Sequence, residues 1–129
     1  MVIVNKNTMG VIMLCLLPLV ITACGNEAQV SFSKDVQPIL DKNCVECHGE
    51  GGQGLLASGL DLTSHESLMK GAQFGPMIIA GDAEGSNLVV LMEGRADPSI
   101  SMPHGQRDPV GEADIQAVRA WVDQGAKNN

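Results

Sequence analysis

Cys44-Val45-Glu46-Cys47-His48 constrains this chain more than any other stretch. Two thiols three positions apart, followed directly by an imidazole, form the attachment signal for c-type haem. The spacing has a mechanical reason. Cys44 and Cys47 lie about one helical turn apart, so both sulfurs reach the two vinyl groups on one porphyrin edge. His48 then sits beneath the ring with an imidazole nitrogen aimed at the iron. The composition fits a chain that folds around such a group. There is no Tyr, and only Phe32, Phe74 and Trp121 supply large rings. A domain of this size normally uses several aromatics to fill its core, and a buried porphyrin supplies the missing apolar area.

The N-terminus supplies the motif's context. Lys6 stands in a short charged region, and Val11 to Ile21 is an almost wholly apolar run interrupted by Pro18. That run is too short for a comfortable membrane span and reads as an export signal. It leads into Ile21-Thr22-Ala23-Cys24-Gly25, which looks like the lipobox of bacterial lipoproteins. On this reading residues 1–23 are removed and Cys24 carries lipid at the head of the mature chain. The alternatives are an ordinary secretory signal and a retained transmembrane helix. Cleavage leaves 106 of 129 residues, the size of one domain. It removes Lys6, the one charged residue in that stretch, and takes the net charge from −7 to −8.

Cysteine use follows. Of four cysteines, Cys15 leaves with the signal, Cys24 is assigned to lipid, and Cys44 and Cys47 to haem. None remains for a structural disulfide. Two other uses of the pair are a thioredoxin-type disulfide and a zinc site completed by His residues. The first normally follows a strand, whereas this pair follows an expected helix.

Residues 24–30 read as a polar tether and 31–127 as the domain. A first helix is expected over Ser33 to Asn43, with Ser33 as N-cap and Val36, Ile39 and Leu40 on one face. Pro38 would interrupt its early hydrogen bonds and move the true start toward Gln37. Gly49 to Gly54 reads as a loop, and Leu60 and Leu62 as a short extended piece. Ser64 caps a short helix through Lys70 that ends at Gly71. Asp82 or Ser86 caps a helix with Leu88, Val89, Leu91 and Met92, and Gly94 stops it. Arg95 to Val110 is loop. A last helix over Gly111 to Gln124 carries Ile115, Val118, Trp121 and Val122 on one face, with Gly125 as C-cap. The first and last helices are expected to pack, with Ile39 or Leu40 against Val118, Trp121 or Val122. His48 is expected to donate its other ring N–H to a backbone carbonyl, at Pro76 or near Gly59.

This order resembles the class I cytochrome c fold, and more closely the planctomycete-type cytochrome c domains of bacterial secreted proteins. The similar stretches are Phe32 to Leu40, Gly59-Leu60-Asp61-Leu62, Gly81 to Ser86, Ser101-Met102-Pro103 and Trp121 to Ala126. The resemblance implies an all-α fold of short helices around one covalently bound haem c, held by Cys44, Cys47 and His48. It also implies haem attachment outside the cytoplasm. Met102, in the loop where such domains carry their distal ligand, is the expected sixth ligand. His104 stands where these domains often have a second Pro, and His104 and His65 are the alternatives to Met102. Met69 and Met92 read as core filler. Met77 reads as packing against the haem.

These readings converge on an exported, lipid-anchored monohaem carrier of single electrons, not an enzyme, working at the periplasmic or outer side of a bacterial membrane. The alternative is a haem-based sensor or small-ligand-binding module with a displaceable Met102. The acidic surface, with Glu46, Glu50, Asp61, Asp82, Glu84, Asp108 and Asp114, either solvates the domain or steers it to basic redox partners, among them membrane-bound oxidoreductases. It argues against nucleic acid.

Overall fold

The computed structural model describes residues 28–129. The expected export signal, Cys24 and the first residues of the expected tether lie outside them. The described chain is all-α, with no strand among the described residues. Ser31 opens it. Its Oγ accepts from the Lys34 N–H at 3.3 Å, while the Asp35 carboxylate accepts from the Ser31 N–H at 2.8 Å. The cap is therefore Ser31, not Ser33. The first turn, Phe32–Val36, is π-helical, and the Gln37 N–H closes onto the Phe32 carbonyl. The wider turn suits a segment that runs into Pro38, which has no N–H to donate and fits only a helix's first turn. Helix α1, Gln37–Asn43, starts there and buries Ile39 and Leu40.

The chain then kinks at Cys44 (φ −130°) and makes one turn, α2, Val45–His48. Helix α3, Gln53–Ser58, follows and buries none of its residues. It replaces part of the loop expected from the glycines. Leu60 and Leu62 are buried in irregular backbone, and the Leu62 N–H donates to the His48 carbonyl at 2.8 Å. Helix α4, His65–Lys70, has the cap expected of it. Ser64 and Ser67 exchange hydrogen bonds as a capping box, and Gly71 ends the helix at φ 80°.

Helix α5 is Asn87–Met92 and α6 is Glu112–Asp123. Ser86 stands at the N-cap of α5 but does not cap it. Its buried Oγ donates to the Asp82 carbonyl at 2.7 Å and accepts from the Ile79 N–H at 2.8 Å, so it ties the preceding loop shut. Arg95 to Val110 is irregular, as expected.

The first and last helical segments do pack. Phe32 and Trp121 stand 5.3 Å apart, centroid to centroid, and His65 meets both rings edge-on at 5.0 and 5.9 Å. The contact centres on Phe32–Val36, not on Ile39 and Leu40, because the two largest rings of the core bury each other there. Val36, Leu40, Val118, Trp121 and Val122 belong to the same buried cluster. Asn129 closes this end: its Oδ1 accepts from the Phe32 N–H, and its backbone oxygen from Ser31 and Ser33. Two of the chain's three large rings thus hold this helix contact, and the other buried hydrophobic residues are aliphatic or thioether.

Candidate haem site

Helix α2 makes the site local. The Cys47 and His48 N–H groups both donate to the Cys44 carbonyl, at 3.0 and 2.9 Å, which stacks the two thiols one turn apart. His48 is buried, 7 % exposed. Its Nδ1 lies 3.2 Å from the Leu60 carbonyl oxygen. A carbonyl can only accept, so Nδ1 carries a proton, which in a neutral imidazole leaves the lone pair on Nε2. The partner is the residue next to Gly59, within the range expected from sequence.

Nε2 lies beside Gly54, and a Cβ at that position would stand 2.8 Å from both Cε1 and Nε2 of His48. Gly52 is equally forced, since a Cβ there would meet the Cys47 carbonyl oxygen at 2.2 Å. Gly52 and Gly54 are thus set by close approach of backbone to the motif itself.

Cys44, Cys47, His48 and Met102 all line one cavity of about 630 Å³. Its walls include Leu60, Leu62, Met77, Leu88, Met92 and Val110, all buried, and Phe74 and Ile100 stand exposed at its rim. Burial pushes the Cys44 thiol up to about 11, the Cys47 thiol adds to the rise, and Arg107 opposes it. A pocket that disfavours thiolate does not disfavour a neutral thioether, the form a haem-linked cysteine takes. Size, apolar lining, two thiols on one turn and an oriented imidazole fit a covalently bound porphyrin.

The other candidates separate. His104 lines the cavity, but His65 does not: its Nε2 is 2.8 Å from the Ala126 carbonyl oxygen, within the Phe32–Trp121 cluster. Met77 and Met92 both line the cavity, so Met92 is wall as well as core. Met69 lies on the outer face of α4, 36 % exposed. Cys44 and Cys47 form no disulfide, and among the described residues no three Cys, His, Asp or Glu side chains converge as the zinc alternative requires. Sequence reasoning did not single out Arg107, whose guanidinium pairs with Glu46 of α2 at 2.7 Å and borders the cavity. Nor did it single out Phe74 and Ile100. These rim residues are scattered over the chain, and no local pattern marks them.

An all-α fold with a Cys-x-x-Cys-His turn on the wall of an apolar cavity defines a cytochrome c-like protein. A family model for planctomycete cytochrome C matches residues 44–106, from Cys44 past Met102 and His104. The match supports a planctomycete-type cytochrome c domain over those residues, and such domains bind haem c covalently and serve electron transfer. Searches of curated proteins and of solved structures return no match.

Proposed function

We propose that this chain is an exported monohaem c-type cytochrome that passes single electrons between redox partners, anchored to a bacterial membrane through lipid on Cys24. The observation that carries the reading is the convergence of Cys44, Cys47, His48 and Met102 on one cavity. The haem supplies a one-electron change at iron. Every other part belongs to the chain. Cys44 and Cys47 would hold the ring by thioethers. The Leu60 carbonyl orients His48, so that its Nε2 would be a ligand to the iron. Met102 would offer its thioether, a donor that favours the reduced state. The buried aliphatic walls exclude water and so tune the potential. A single Cys-x-x-Cys-His motif supports one haem. With His48 and Met102 both engaged, no position would be left open for substrate, which favours transfer over catalysis. The net charge of the mature chain favours basic partner surfaces, including those of membrane-bound oxidoreductases.

The test is the intact mass of the purified protein under denaturing conditions. The mature chain is expected to be heavier by one haem, and free thiols at both Cys44 and Cys47 would overturn the reading. Exposure of the ferrous protein to carbon monoxide separates the carrier from the sensor. The carrier stays six-coordinate and the sensor binds the gas.

A further inference from the structure

Two parts of the cavity lining are held very differently. His48 is buried, bonded through its ring to the Leu60 carbonyl and through its backbone to Cys44 and Leu62. Met102 lies half-buried and His104 exposed in one loop, and both line the cavity. Among the described residues, no hydrogen bond involves the backbone of residues 102–110, and the only ion pair of that stretch is Arg107 with Glu46. Backbone so sparsely bonded opens at little cost in free energy. His104 has no hydrogen-bond partner among the described residues, whereas His65, the other histidine outside the motif, is held by the Ala126 carbonyl. Two residues of chain span at most about 7 Å, so a small slide of this loop exchanges one side chain for the other at the cavity wall.

We infer that the distal position is shared: Met102 is the ligand when the iron is ferrous, and His104 replaces it when the iron is ferric. The inference rests on the haem reading above. Its chemical basis is ligand softness, since thioether sulfur favours the reduced metal and imidazole nitrogen the oxidised one. The exchange breaks the bond from Met102 Sδ to iron and forms one from the lone pair of a neutral His104 nitrogen. It moves no electron and no proton. The electron itself goes to, or comes from, a one-electron oxidant or reductant before the loop slides. The consequence is a carrier whose oxidised form is stabilised once it has given up its electron.

The test uses the full-length protein with its covalent haem, as wild type, His104→Ala and Met102→Ala, oxidised with ferricyanide and reduced with dithionite. Reduced wild type is expected to show the strongly shifted methionine methyl resonance of an iron-bound thioether. Oxidised wild type is expected to lack the long-wavelength sulfur-to-iron charge-transfer band and to give the electron-paramagnetic signature of two imidazoles. In His104→Ala that band returns, and the midpoint potential rises by about 59 mV for each factor of ten by which His104 favoured the ferric state. Met102→Ala is expected to leave the oxidised spectrum unchanged and alter the reduced one. A sulfur-to-iron band already present in oxidised wild type, and unmoved by His104→Ala, overturns the exchange and keeps Met102 in both states. A reduced wild type without the methionine resonance overturns both the exchange and Met102 as ligand. A chain without covalent haem removes the proposed function itself.

Discussion

Gly54 shows how closely the motif and its surroundings are fitted. The residue has no side chain because His48 occupies the space where one would stand, 2.8 Å from the position of a Cβ. Substitution has to displace either the imidazole, and with it the bond to the Leu60 carbonyl, or the start of α3. Gly54→Ala is expected to weaken proximal ligation while Cys44 and Cys47 still hold haem. Absorption spectroscopy checks this: a mixture of high-spin species in the variant, against a low-spin wild type, is the expected outcome. The motif's own geometry was legible because it depends on neighbours in sequence, one helical turn and one imidazole after it. The role of Gly54 was not legible, since Gly49 to Gly54 contains four glycines and only the fold says which of them faces the ring.

At the scale of elements, legibility follows local hydrogen bonding. Helix α4 was readable from Ser64 to Gly71 because its cap and stop lie within it. Helix α6 was readable from a full amphipathic face of Ile115, Val118, Trp121 and Val122. The start of α1 at Gln37 was legible from Pro38, but the cap of the turn before it was misread, since Ser31 and Ser33 are equivalent by type and only the π-helical turn selects between them. Helix α3 was missed because Gly54 within it argues for loop and no buried face marks it.

Two predictions belong at this scale. Trp121 is 1 % exposed and donates its indole N–H to the Lys127 carbonyl at 2.9 Å. Trp121→Ala empties the joint between the first and last helical segments and is expected to cost about 3–5 kcal/mol by denaturant unfolding. The second concerns Glu93, at the end of α5, which bonds both Arg95 and Arg119 of α6. Burial pushes its carboxyl up, but the hydrogen bonds and charges of Arg95 and Arg119 outweigh it and hold it below the usual carboxylate range. A carboxyl depressed in the folded state stabilises the fold above its unfolded value of about 4.3, and this contribution is lost as pH falls through the folded value. Glu93→Gln is therefore expected to flatten the acid limb of the stability–pH curve, with the denaturation midpoint measured from neutral pH downward. An unchanged slope below the ordinary glutamate range would show that the pair adds nothing to acid sensitivity.

At the scale of the whole molecule, the domain gathers its seven helical segments, the π-helical turn among them, around two centres: the Phe32–Trp121 ring cluster and the apolar cavity. The tether enters at the ring cluster. Gln124 receives the Val30 N–H on its Oε1 at 2.8 Å and donates from Nε2 to the Ala28 carbonyl at 3.2 Å. The polar tether expected over 24–30 is therefore already bound to the domain from Ala28 onward. With lipid on Cys24 as proposed, the C-terminal end of α6 would stand close to the membrane. Cys24→Ser is expected to release the protein from the membrane fraction with its haem spectrum intact, as read by fractionation and absorption. Retention in the membrane would instead identify residues 11–21 as an uncleaved anchor.

What the amino-acid sequence determined alone was the chemistry that is contiguous in the chain: the Cys44–His48 turn, the capped α4, the amphipathic α6, and an all-α order that resembles a cytochrome c domain. Each is a matter of near neighbours, where spacing and side-chain type suffice. What only the tertiary structure decided was which distant residues share a wall. It brought Met77, Met92, Met102 and His104 to the cavity and sent His65 to the Ala126 carbonyl. The reason is physical. A thioether or an imidazole reads the same in sequence whether it fills a core, caps a contact or faces a ligand, and the long-range packing of α5, α6 and the loop between them assigns the role.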